Sequence, residues 1–167
     1  MVLGVFLSLK VQAYDAYVNG IYYNLNTTAK TATVTYRTTN YNSYSGVVNI
    51  PKSFVYNSVV YNVTSIGFNA FNKCTGMTSV NIPNSVTSIS QLAFYHCNAL
   101  TSVNIPNSIT TIDFSVFCGC TSLTSVTIPN SVTSIGQNSF TDCSSLTSIT
   151  IPSSVTHIGE NAFAGCI

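Results

Sequence analysis

The chain has 167 residues, 46% of them hydrophobic, which is enough apolar material for a packed domain and excludes wholesale disorder. Only 5% are charged, against roughly a quarter in an ordinary domain, and the formal net charge is +1. No field is available to capture nucleic acid or an anionic membrane, so the surface must be built of hydroxyls, amides and tyrosines. Such a surface suits hydrogen-bonding and stacking contacts with proteins or sugars.

In chain order, Val2 to Leu9 form an apolar run, and Val11-Gln12-Ala13 has the small-x-small pattern that precedes signal cleavage. Residues 1–13 therefore read as a truncated signal peptide without its basic start, with a buried first strand as the alternative. The run is too short to span a bilayer. Export to the surface or the medium is expected.

Next, VNGIYYNLN and TATVTYR are alternating runs separated by TTAK, and they predict a β-hairpin. At this place a hairpin would cap a stacked array, whose first rung otherwise exposes an apolar edge and unpaired strand groups. Ile50-Pro51 reads as a degenerate first rung, and FVYNSVVYN as an insertion adding a further strand pair. Residues 14–60 are expected to be this N-terminal β cap, and residues 61–167 the array itself.

Self-similarity then takes over. Cys74, Cys97, Cys120, Cys143 and Cys166 are spaced by 23 residues. Phe71, Phe94, Phe117, Phe140 and Phe163 keep the same step, as do Pro83, Pro106, Pro129 and Pro152. One unit, Leu100 to Ser122, opens with apolar residues at Leu100, Val103 and Ile105. That L-x-x-L-x-L spacing is a leucine-rich-repeat signature. Val103 and Ile105 alternate with Ser102 and Asn104, which predicts a short strand with one buried face. Proline lacks an N–H and fixes its own φ, so every copy must turn at the same place. Two further apolar columns follow at Val86/Ile109/Val132/Val155 and Ile89/Ile112/Ile135/Ile158, and a short helical or 3-10 turn is expected to carry A-F-x-x-C.

LTSVNIPNSITTI, LTSVTIPNSVTSIG and the A-F-x-x-C-x-x-L linkage from Ala93 to Leu100 resemble the BspA-like leucine-rich-repeat family of surface and secreted proteins. The resemblance implies a leucine-rich-repeat solenoid with a parallel sheet on its concave face, used for adhesion or partner binding. It brings no catalytic residues. The chain stops in mid-unit at Gly165-Cys166-Ile167 and reads as a fragment or the N-terminal part of a longer protein.

The same grid places the residues that could carry chemistry. Stacked cysteines would lie close, but with Cβ vectors in parallel, which disfavours bridging, and they are expected to be free structural residues. Cys118, off the column, is the one reactive-thiol candidate; C118-G-C120 lacks the paired spacing of a zinc site. Lys73, His96 and Asp142 share a column with Gly119, which puts His96 and Asp142 two rungs apart, roughly 10 Å at strand spacing. Asp113, Glu160 and His157 fall in other columns. No nucleophile–base pair, paired carboxylates or phosphate loop emerges, so no enzyme, cofactor or metal is expected.

The remaining candidate is the sheet face. Thr78, Ser79 and Asn81 recur as Thr101, Ser102 and Asn104, then Thr124, Ser125 and Thr127, then Thr147, Ser148 and Thr150. These rows are either a partner-binding surface or merely small polar residues that keep a sheet soluble. A rival is the tyrosine-rich segment (Tyr14, Tyr17, Tyr22, Tyr23, Tyr36, Tyr41, Tyr44, Tyr56 and Tyr61), some of which must be core. The leading expectation is an exported, non-enzymatic module for adhesion or protein–protein contact. Its partner is a protein or glycan on another cell or matrix, with no nucleic acid and no membrane span. The alternatives are a structural spacer projecting another domain, or a repeating surface that binds a glycan or ice.

Overall fold

The computed structural model describes residues 14–38 and 41–166. Residues 1–13, expected to be a signal peptide, lie outside the described residues, as does Ile167. Among the described residues thirteen strands follow one another. β1 (Ala16–Val18), β2 (Ile21–Asn26) and β3 (Thr31–Thr35) form an antiparallel meander. β4 (Ser45–Asn49), β5 (Ser53–Tyr56) and β6 (Val59–Ile66) come next, and β5 and β6 close a hairpin over Asn57-Ser58. Both turn residues have positive φ, 48° and 62°, as a tight two-residue hairpin requires. The repeats then supply β7 (Gly76–Asn81), β8 (Ser88–Ile89), β9 (Ser102–Asn104), β10 (Thr111–Ile112), β11 (Ser125–Thr127), β12 (Ser134–Ile135) and β13 (His157–Ile158).

Three sheets result. One runs β1-β2-β3-β6-β5, with β8 joined to β6 in parallel, so the N-terminal strands and the first regular repeat share a sheet. A second is the parallel sheet β11-β9-β7-β4, and the third is β10-β12-β13. Parallel pairs 23 residues apart, such as Val80 with Val103 and Val103 with Val126, make each copy one rung of a stack.

Side chains repeat this stacking inside. Rings of Phe71, Phe94, Phe117, Phe140 and Phe163 lie 5.0–5.4 Å apart and nearly parallel, and Tyr44 extends the column 4.8 Å beyond Phe71. Met77, Leu100, Leu123 and Leu146 fill the leucine column, all buried. The cysteines are free thiols, and four of them donate Sγ–H to the Phe carbonyl 26 residues earlier, from Cys97 to Phe71 at 3.0 Å through to Cys166 with Phe140 at 3.3 Å. Ser108, Ser131 and Ser154 likewise donate to carbonyls of the preceding rung, at Val86, Ile109 and Val132. The proline carbonyl accepts from the amide three residues on, as from Ile109 to Pro106 at 3.0 Å, closing the turn that ends the strand.

The turn that carries A-F-x-x-C corrects an expectation: no helix of either kind forms among the described residues. Two residues in each of these turns are left-handed. Asn69, Leu92, Ser115, Asn138 and Asn161 hold φ of 52–59°, and four places on stand Lys73, His96, Gly119, Asp142 and Gly165 at 54–76°. Left-handed residues interrupt a helix. Alternate amides therefore point in different directions. Cys97 bonds back to Phe94 within the turn at 3.2 Å, whereas Phe94 donates forward to Val116 of the next rung at 2.9 Å. The backbone groups that a helix would pair internally instead tie rung to rung.

Candidate functional site

The sheet β4-β7-β9-β11 presents two flush rows outward because strand side chains alternate and Val80, Val103 and Val126 turn to the core side. Ser79, Ser102 and Ser125 form one row, and Val47 heads it on β4 with 59% of its surface exposed. Asn49 and Asn81 pair across β4 and β7, and Asn104 and Thr127 across β9 and β11. The Asn81 amide donates to the Asn49 side-chain oxygen, so this row begins as an amide ladder.

Thr78, Thr101 and Thr124 are exposed beside these rows, but two of their hydroxyls are committed to the stack. Thr101 Oγ1 donates to the Thr78 carbonyl at 3.3 Å, and Thr124 Oγ1 to that of Thr101 at 3.2 Å. Serine and asparagine are the residues that project. In the last copy, Thr147, Ser148 and Thr150 are exposed and belong to no strand. The sheet opens there: a cavity of about 390 Å³ lies between Ser125–Thr127 and Ser148–Thr150, floored by Val126 and Ile149 and flanked by Pro152. The expected face thus consists of three paired rungs with a cleft at the fourth.

The tyrosine-rich segment divides. Tyr22, Tyr23, Tyr44 and Tyr61 are buried, while Tyr17 is 56% exposed and stacks on Tyr22 at 4.5 Å. Burial pushes the Tyr22 phenol upward. Tyr44 donates its hydroxyl to the Thr35 carbonyl and accepts from the Tyr22 amide, joining the meander to the Phe column. Tyr23 and Phe54, 4.3 Å apart, fill the interior between β2 and β5.

The ionisable residues are dispersed. Lys73, Asp142, Glu160 and His157 are exposed, and Asp113 accepts from the Phe114 amide at 2.7 Å. His96 lies over Gly119 of the next rung, where a Cβ would come within 2.4 Å of its Nδ1. Among the described residues no three His, Cys, Asp or Glu side chains gather as a metal site. Burial pushes the Cys120 and Cys143 thiols well up, and burial with the Asp142 carboxylate raises half-buried Cys118, which favours the unreactive thiol form. Among the described residues no helix is long and apolar enough to cross a membrane.

Sequence reasoning missed a groove on the turns, about 480 Å³ in volume, that includes Asn72, Leu92, Tyr95, Phe114 and Cys118. The available signal was that these positions differ between copies while the Phe and Cys columns do not.

Comparison with known proteins places this geometry. The family model described as BspA type leucine rich repeat region matches residues 40–167, in six copies. A leucine-rich repeat protein from Bacteroides ovatus is similar at 38% identity and a TM-score of 0.82, over 90% of this chain and 38% of that one. The T. pallidum leucine rich repeat protein matches at 28% identity and a TM-score of 0.77, over 91% of this chain and 67% of that one. A leucine rich cell surface protein from Faecalibacterium prausnitzii matches at 32% identity and a TM-score of 0.63, over 90% and 46%. The chain therefore spans about two-fifths of the length of the first of these. No curated protein matches it.

Proposed function

The chain belongs to the BspA-type leucine-rich-repeat family, and from that premise we propose that it is an exported, non-enzymatic module for adhesion or protein–protein contact. The observation that carries this reading is the outward face of β4-β7-β9-β11, with its serine and asparagine rows, exposed Val47 and the cleft at Ser148–Thr150. Its polar groups are hydroxyls and amides, which favour a partner chosen by shape and hydrogen bonding over one drawn in by charge. The N-terminal strands act as a cap, covering the apolar end of the Phe column through Tyr44. Surface location is supported by the similarity to a protein described as a leucine rich cell surface protein, and by the small-x-small pattern before Tyr14.

The test is surface plasmon resonance against a panel of purified matrix and cell-surface proteins. At least one is expected to bind, and Ser102→Lys with Ser125→Lys, which crowd the serine row, should weaken it by about tenfold or more. Tyr17→Ala serves as the rival-site variant. No binder in the panel, or binding untouched by the face variant, would overturn the assignment of the face. A glycan on the same face is the second reading, favoured by the hydroxyl-lined cleft; retention on immobilised polysaccharide, lost in the same double variant, would select it.

A further inference from the structure

The turns that carry the left-handed columns also carry a groove of about 480 Å³ crossing four rungs, a volume in the range of small-molecule sites. It is distinct from the sheet face. The rest of the stack is nearly uniform, yet here the copies differ. The column of Tyr95 holds Asn72, Cys118 and Thr141 in the neighbouring rungs, and that of Leu92 holds Asn69, Ser115 and Asn138. A uniform repeat presents the same surface many times, whereas selective recognition needs varied side chains and aromatic anchors.

Three features narrow the ligand. No Asp, Glu, Lys, Arg or His lines the groove, so the ligand is neutral. One wall is apolar, made by Leu92, Tyr95 and Phe114, while Asn72 and Asn138 bring planar amides with paired donors and acceptors. The Asn72 side chain, only 7% exposed, donates its amide to Asn69 Oδ1 at 2.7 Å, but its own Oδ1 has no partner among the described residues. Asn72 lines the groove, and a ligand hydroxyl that reaches this oxygen supplies the missing donor. Leu92 adds a fourth point. It is held at φ 59° in a column where Asn69, Asn138 and Asn161 suit the left-handed backbone and a branched chain does not. Strain of this kind is retained where the side chain has work to do.

The geometry points to a binding site for a short neutral saccharide in this groove, with its C–H face against Tyr95 and its hydroxyls on Asn72 and Asn138. The aromatic wall takes the apolar face of a sugar ring, and the amides take the equatorial hydroxyls, a combination that peptide backbones and charged polymers use less well. The test is isothermal titration calorimetry of the whole chain with maltotriose, cellotriose, xylotriose and chitotriose. It is paired with the slow alkylation of the half-buried Cys118 thiol by excess iodoacetamide, followed by peptide mapping. At least one sugar is expected to bind saturably and to slow alkylation of Cys118. Tyr95→Ala and Leu92→Asn should each weaken that binding by about tenfold, and Ser102→Lys with Ser125→Lys should not. Leu92→Asn restores the residue used at the same place in three other rungs, so it keeps the fold while removing the wall. Binding by none of the four sugars, or binding that neither groove variant weakens, would overturn the proposal. Protection of Cys118 by an uncharged peptide but by no sugar would overturn its ligand class. Because the face variant is scored separately, failure here is distinguishable from failure of the sheet-face reading.

Discussion

At the residue scale, the columns that look variable in the sequence are constrained by the backbone. Lys73, His96, Gly119, Asp142 and Gly165 share little chemistry, but all five adopt positive φ. From His96 onward larger and small side chains alternate there for a steric reason: His96 reaches over Gly119, and Asp142 over Gly165, where a Cβ would meet Asp142 Oδ1 at 2.6 Å. Gly119→Ala combines a left-handed alanine with this clash and is expected to lower stability by about 1–3 kcal/mol in urea denaturation. Part of that loss belongs to the imidazole. A double-mutant cycle with His96→Ala should recover the steric share and leave only the backbone cost, whereas strict additivity would show that the ring moves aside freely. His96 and Asp142 thus pack over the glycines of the next rung.

At the scale of the element, the rung is held by ladders that its sequence repeats enforce. Cysteine is suited to its column because it is small, apolar and still able to donate weakly to the Phe carbonyl of the preceding rung. Burial raises the thiols of Cys120 and Cys143 far above their ordinary value of 9.0. The unfolded chain therefore releases these protons first as pH rises. Their contribution is fully present below about pH 9 and is lost progressively above it, because beyond that point the folded state binds more protons than the unfolded one. Urea midpoints measured from pH 7 upward should stay level and then fall near the thiol range, and Cys120→Ala with Cys143→Ala should flatten the fall, though tyrosines sustain some of it. An unchanged slope in that double variant would remove the thiols as its cause. The A-F-x-x-C turn belongs at this scale too. Cys97 lies three and four residues after Phe94 and Ala93, a spacing that suits a helical turn, and nothing local announces that Leu92 and His96 are left-handed.

At the scale of the molecule, an array with few charges should bind with little help from ionic strength. Nine charged residues in 167 leave almost no field to screen. Affinity for a protein partner of the sheet face is expected to change by no more than about twofold between low and physiological salt, measured by plasmon resonance. A steep salt dependence would point instead to Lys52, Lys73 or Arg37 as the contact region.

The 23-residue period by itself determined the core of this protein. Once Phe, Cys, Leu and Pro recur in register, stacking is the arrangement that buries every copy's apolar edge, and family membership follows from those residues. The outward Ser and Asn rows were legible for the same reason, since alternation assigns them a side. What only the tertiary structure decided depends on contacts between rungs. Thr101 and Thr124 turn their hydroxyls onto carbonyls 23 residues back, the sheet opens before Ser148, and β8 joins a sheet with β6. The turns became a ladder without helix, and their variable side chains converged in one groove. A single repeat carries no information on such features, because each is a relation between a residue and its counterpart one or more turns away.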